Sequence, residues 1–197
     1  MTLHSHEKSR PSPSRRDFAA IALGVASVSV IGVGAADAAT ASELDRDASE
    51  ALRRLYASSP QARQLAARSR AILVFPRITK GGFMFGGQGG QGVLRVRGRT
   101  AGYYSIYAGS FGLQAGIQTF SYALFFITQS ALNKVESADG WAIGSDPNVV
   151  VVDQGAAANL NTTTLKKEIY AMPFGQKGLM AGISLEGSKI TRIHPKP

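Results

Sequence analysis

Residues 71–92 read AILVFPRITKGGFMFGGQGGQG. An apolar run from Ala71 to Phe75 stops at Pro76, and a basic turn with Arg77 and Lys80 follows. Beyond it, aromatic residues interleave with glycine as far as Gly92. Seven glycines fall among the twelve residues 81–92. Glycine inside a strand-like pattern marks a bulge, a sharp bend, or a close approach of another backbone or a ligand. Several in succession predict a curved or closing sheet. A phosphate-loop reading lacks its mechanism, because there is no Gly-Lys-Ser/Thr and the glycines precede a strand instead of opening a helix.

On the N-terminal side the apolar period is helical. Leu44, Ala48, Ala51, Leu52 and Leu55 predict an amphipathic helix over 43–57, with Ser42 as its cap and Glu50–Arg54 as an i,i+4 pair. Ser59 and Pro60 break it and start a second helix, to about Ser69, with Ala62, Leu65 and Ala66 inward. On the C-terminal side the period is two. Arg97-Gly98-Arg99 reads as a tight turn returning into Thr100–Tyr107, and Phe111–Gln118 alternates as one strand whose glycine and glutamine face suggests a lumen. Phe120–Ile127 fits a buried strand or the start of a helix through Leu132 and Val135, which periodicity alone does not decide; the strand is favoured, followed by a short helix from Thr128 to Ser137. Further strands are expected at Val149–Val152, Lys167–Phe174, Leu179–Leu185 and Lys189–Ile193. The fold class is α+β: two N-terminal helices, then a bent, barrel-like, mainly antiparallel sheet with one short further helix.

Residues 1–38 read as a twin-arginine signal peptide. Arg15-Arg16 precede a mild Ala/Gly-rich apolar run, and Ala36-Asp37-Ala38 offers cleavage after Ala38. The expected product is an exported, periplasmic domain of residues 39–197. The leader's four cations and three carboxylates give it +1, so +8 of the chain's +9 belongs to that domain. The chain has no cysteine, which excludes disulfides, thiolate metal sites, thiol catalysis and a lipid-modified cysteine.

The order of three patterns then carries a resemblance. They are Val74-Phe75-Pro76 with Lys80-Gly81-Gly82-Phe83 and Gly86–Gly92, then Gly112-Leu113-Gln114-Ala115-Gly116, then Gly178-Leu179-Met180-Ala181-Gly182 running to Glu186-Gly187. Together they resemble the SYLF lipid-binding family over most of the chain after about Ala41. The resemblance implies a barrel of the same kind. It also implies membrane phospholipids as ligands, phosphoinositides among them in eukaryotic members, some of which bind actin. A basic amphipathic N-terminal segment is implicated. By position the lipid-binding candidates are Arg53 and Arg54 on the first helix, Arg63, Arg68 and Arg70 on the second, and Arg77 and Lys80 at the strand turn. The chain departs from the family at Gly102-Tyr103-Tyr104-Ser105-Ile106, where members commonly carry a Trp and a Pro.

The remaining chemistry points away from catalysis. His194 is the one histidine after the leader and reads as a frayed tail residue, and Asp139, Asp146 and Asp153 read as turn-makers. No spacing suggests a nucleophile with its base, a metal cluster or a cofactor. Arg95, Arg97 and Arg99 near Tyr103 and Tyr104 would suit nucleic-acid stacking, but an exported protein meets little nucleic acid. The partner expected is therefore an anionic phospholipid or membrane surface, with apolar help from Leu44, Leu52 and Leu55 or from the Phe83/Phe85 region. Those leucines would otherwise dock the helix on the sheet. The alternative, from another class, is a structural or stress-related envelope protein that reaches a protein partner through its basic helices.

Overall fold

The fold opens on a capping box. Thr40 Oγ1 accepts from the Glu43 N–H (3.3 Å), and the Glu43 carboxylate accepts from the Thr40 N–H (2.9 Å). Two orphan donors of helix α1, Ala41–Ser58, are thereby satisfied. The cap is two residues earlier than the Ser42 expected from sequence, because Thr40 and Glu43, three residues apart, close the box reciprocally. The computed structural model describes residues 39–83, 85–111, 116–137, 140–152, 166–177, 185 and 187–197. All lie within one unit, residues 37–197. Residues 1–38, with Arg15, Arg16 and Ala38, lie outside the described residues.

Ser59 caps α2 (Pro60–Arg68) through its side chain, which accepts from Ala62 N–H (3.1 Å), with Pro60 in the first turn. Seven strands follow in one sheet: β1 Ala71–Phe83, β2 Phe85–Val96, β3 Arg99–Phe111, β4 Gly116–Phe126, β5 Val149–Val151, β6 Ile169–Lys177 and β7 Ser188–Ile193. Helix α3, Gln129–Ser137, separates β4 from β5. The spatial order is β5-β6-β4-β1-β2-β3-β7. All pairings are antiparallel except β5 with β6. The sheet is thus mixed, and its central strands of 11 to 13 residues are long.

Two expectations are corrected here. Pro76 does not end the first strand. The registers of β1 slip between Val74 and Arg77 on one side and between Phe75 and Ile78 on the other, so Pro76 sits in a bulge. A residue without an N–H is tolerated there. Arg77 and Lys80 consequently lie within β1, and the hairpin reverses only between Phe83 and Phe85. Nor is Phe111–Gln118 one strand: Phe111 ends β3 and Gly116 begins β4, and two strands stand between those elements. Residues 112–115, like 153–165 and 178–184, lie outside the described residues.

The glycine-rich stretch now has a physical explanation. A Cβ on Gly92 would stand 2.5 Å from the Val74 carbonyl oxygen and 2.6 Å from the Phe75 ring, and one on Gly90 would collide with the Arg77 carbonyl. These glycines let β2 pass over the bulge in β1. The Arg97-Gly98 turn is as expected, with φ of 51° and 80°, the primed geometry that matches strand twist.

Each face of the sheet buries its own core. On one, α1 and α2 lay Leu44, Ala48, Ala51, Leu52, Leu55, Ala62 and Leu65 on Val74, Val93, Ala123, Phe125, Tyr170, Met172 and Phe174. On the other, the concave face, Leu73, Phe75, Ile78, Leu94, Ile106, Phe120, Tyr122 and Leu124 pack with α3 and Trp141. Trp141 exchanges backbone bonds with Ile190 of β7 (2.7 and 2.8 Å), and eight residues later Val149 pairs with Ile169 of β6. The segment 141–149 therefore spans from one edge of the sheet to the other and closes the half-barrel over a filled interior.

Candidate anion-binding site

Arg68 and Arg70 flank the α2–β1 junction, which is held by the Arg70 N–H bonding to the Phe126 carbonyl (2.8 Å). The β2–β3 turn carries Arg97 to the same end of the sheet. The three line one cleft of about 590 Å³ with Ser69, Val96, Ile127, Gln129, Leu132 and Glu136. Glu136 is the one carboxylate in that lining. A second cleft, of about 410 Å³, brings together Arg54, Arg77 and Lys177 around Pro76, Thr119, Ser121 and Gly175. Ser121 Oγ donates to the Pro76 carbonyl there (2.8 Å), which ties the bulge to β4.

Of the seven candidates, the structure thus gathers four into two clefts. Arg53 stands exposed on α1 away from both. Arg63 is exposed and donates through Nη1 to the Tyr56 carbonyl, which joins α2 to α1. Lys80 is half-buried and turns to the concave face, on the same side of β1 as Ile78. Arg54 pairs with Glu50 at 3.9 Å, both more than two-fifths exposed. An exposed i,i+4 pair is worth only about 0.3–0.5 kcal/mol, so an anion competes with Glu50 easily. Leu44, Leu52 and Leu55 are buried against the sheet and have no face left for acyl chains.

Arg97 and Lys177 complete the clefts, and sequence reasoning did not place them there. The hairpin reading did put Arg97 in a turn; what it lacked was the turn's neighbour in space. The arginines and tyrosines considered for stacking are dispersed. Arg95 is held under α1 by the Asp45 carbonyl (2.9 Å) and Ser49 Oγ (2.7 Å). Tyr103 donates to Asp45 (3.0 Å), while Tyr104 is buried on the opposite face. That arrangement leaves no stacking platform. Nor is the tail frayed, since the Lys196 carbonyl accepts from the Ala41 N–H (2.8 Å).

Among the described residues no group of His, Asp and Glu is arranged to hold a metal, and no helix is long and apolar enough to cross a membrane. The Tyr122 phenol is wholly buried, and burial pushes its pKa far above the ordinary tyrosine value. It stays protonated and cannot act as a base near neutrality.

A search among curated proteins finds no significant match. Residues 107–194, from the middle of β3 to the end of β7, match the family described as Ysc84, Las17-binding protein actin regulator. This is a family of binding domains, not of catalysts. With the curled sheet and the two leading helices, the match over residues 107–194 supports membership of the SYLF domain family.

Proposed function

We propose that this protein binds anionic phospholipid at a membrane surface, without catalysis, through the two basic clefts. The observation that carries the reading is the convergence of Arg68 and Arg70 of the α2–β1 junction with Arg97 of the β2–β3 turn on one open cleft with a single carboxylate in its lining. Guanidinium groups meet phosphate oxygens in two-point hydrogen bonds, so such a cleft suits a lipid headgroup. At about 1 kcal/mol per basic residue near an anionic surface, the six cations of the two clefts give about 6 kcal/mol. That corresponds to a dissociation constant of tens of micromolar. The flat distribution of charge over two sites favours a surface over one small soluble anion. Export by the twin-arginine route belongs to the same proposal, with Arg15-Arg16 as signal and residues 1–38 removed. The proposed cleavage point is compatible with the fold, because helix α1 is capped by Thr40, two residues beyond Ala38.

The test is vesicle co-sedimentation of the full chain. Anionic vesicles are compared with zwitterionic ones for three proteins: wild type, Arg68→Gln/Arg70→Gln/Arg97→Asn, and Arg46→Gln/Arg53→Gln/Arg63→Gln. Asn at 97 preserves the left-handed turn. Both triple variants lose three positive charges. Selective binding to anionic vesicles that drops about tenfold or more only in the first variant is the expected result. An equal drop in both reduces the effect to net charge, and no binding to anionic vesicles sinks the lipid reading in favour of a protein partner.

A further inference from the structure

Strand β4 is bordered by a bulge on each side at the same height. Toward β1, Phe75 pairs with Tyr122 and Ile78 with Phe120, so Pro76 and Arg77 together stand opposite Ser121. Toward β6, Phe174 pairs with Ser121 and Lys177 with Thr119, so Gly175 and Gln176 together stand opposite Phe120. Two residues against one is the count of a β-bulge, which bends its strand and re-aims the side chains beside it. Gly175 adopts the left-handed backbone, with φ of 64°. Strands β1 and β6 lie on opposite sides of β4, about 10 Å apart at the usual spacing. The two bulges turn Arg77 of one and Lys177 of the other to the same cleft, where Arg54 of α1 joins them.

This double-bulge cleft differs in charge from the one at the α2–β1 junction. The junction cleft sets Glu136 among its three arginines, whereas the double-bulge cleft has three cations and neither a carboxylate nor a histidine in its lining. Every residue of that lining is described, and Arg77, Gly175 and Lys177 are exposed. Among the described residues no carboxylate pairs with Arg77 or Lys177, and Arg54 has only the exposed Glu50 at 3.9 Å. Ser121 commits its proton to the Pro76 carbonyl, which leaves Thr119 as the hydroxyl donor of the cleft.

A phosphodiester offers one negative charge and two free oxygens. A phosphomonoester offers three terminal oxygens and, near neutrality, about 1.5 to 2 negative charges. We infer that the double-bulge cleft is a site for a phosphomonoester dianion and discriminates against phosphodiesters. Arg54, Arg77 and Lys177 approach from α1, β1 and β6, one cation for each terminal oxygen. The bulges are what make this possible, since in an unbroken ladder β4 would hold the two strand cations apart. The junction cleft, where Glu136 offsets one charge, makes no such distinction. The inference deepens the lipid reading, on which it rests only for the source of the phosphate.

The test needs no bilayer. Short-chain phosphatidic acid and short-chain phosphatidylglycerol, each below its micelle concentration, are titrated calorimetrically into the full chain. At about pH 7.5 the monoester should bind about tenfold tighter, the worth of one further charge-assisted hydrogen bond. Arg77→Gln/Lys177→Gln should erase that preference. Arg68→Gln/Arg70→Gln/Arg97→Asn should keep it, as should Arg53→Gln/Arg63→Gln, which removes two charges elsewhere. The preference should also fade as the solution is acidified, because a phosphomonoester takes up its second proton near pH 6, about the point at which it becomes singly charged. The charged groups facing the phosphate are Arg54 with its neighbour Glu50 on α1, Arg77 on β1 and Lys177 on β6, while β4 contributes none.

Inorganic phosphate is the third probe. If it binds with the same dependence on Arg77 and Lys177, the site stands with free phosphate as its ligand; if only phosphatidic acid binds, the ligand is a lipid headgroup. Equal affinity for the two lipids overturns the inference, as does a preference that survives Arg77→Gln/Lys177→Gln, or no saturable binding of either monoester. Sedimentation with phosphatidylglycerol vesicles reports the lipid reading separately. Vesicle binding without a monoester preference removes this inference alone, and phosphate binding here without vesicle binding removes the lipid reading alone.

Discussion

The Asp146 carboxylate is 6% exposed and accepts from Lys134 Nζ (2.7 Å), the Trp141 indole N–H (3.1 Å) and the Asn148 N–H (3.0 Å). It thereby joins α3, the closing segment and the approach to β5, which is more than the turn-making its sequence position suggests. Burial pushes its pKa up, and the bonds from Lys134, Asn148 and Trp141, with the charge of Lys134, outweigh that and hold it below the ordinary carboxylate value. A depressed folded-state pKa contributes stability that is fully present above the unfolded value, about 3.9. It is lost as pH falls through the folded value. Asp146→Asn should cost about 2 kcal/mol near neutrality, the scale of hydrogen bonds to a charged group. In urea titrations the gap between wild type and variant should close as pH falls below about 4. A gap that persists unchanged at low pH would mean that the charge is irrelevant and only shape matters.

At the scale of elements, periodicity was enough to place α1 and α2, while the apolar run 120–127, which fits a strand or a helix start equally by period, is the greater part of β4. The apolar stripe of α1 is buried residue for residue as its spacing dictates, and the run after Gly116 is a strand followed by a short helix. What spacing could not show was anything decided by a neighbour in space. Pro76 looks like a terminator until β2 and β4 hold the chain on both sides of it, and Arg77 and Lys80 look like a turn for the same reason. The basic clefts were legible only in part: helical and strand positions named Arg54, Arg68, Arg70 and Arg77, but Arg97 and Lys177 reach them through the sheet order, which no local pattern encodes. The cap of α1 allows a direct comparison. Thr40→Ala removes the side-chain acceptor for the Glu43 N–H, leaving only the backbone half of the box, and should cost about 1 kcal/mol, whereas Ser42→Ala, at an exposed position inside the first turn, should change stability by no more than a few tenths. Chemical denaturation of the two single variants measures the difference, and equal costs would contradict the box.

Over the whole molecule, the two cores are opposite faces of the same strands. In β1, Leu73 and Phe75 point into the half-barrel while Val74 points to the helices; in β4, Leu124 and Phe126 point inward while Ala123 and Phe125 point out. Neither core can lose its wall without removing the other's. Closure adds to the coupling, because residues 141–149 tie β7 to β6 across the interior. One cooperative transition follows from this geometry. Leu55→Ala empties a site on the helix face and Leu132→Ala one on the α3 face; both residues are at most 4% exposed. Each should lower stability by about 2–5 kcal/mol, and each should move a single transition seen identically by far-ultraviolet circular dichroism and by Trp141 fluorescence. Trp141 reports only the interior core. If Leu55→Ala shifted the dichroism transition and left the fluorescence transition in place, the helix layer would be melting on its own, and the basic residues of α1 and α2 would ride on a detachable element.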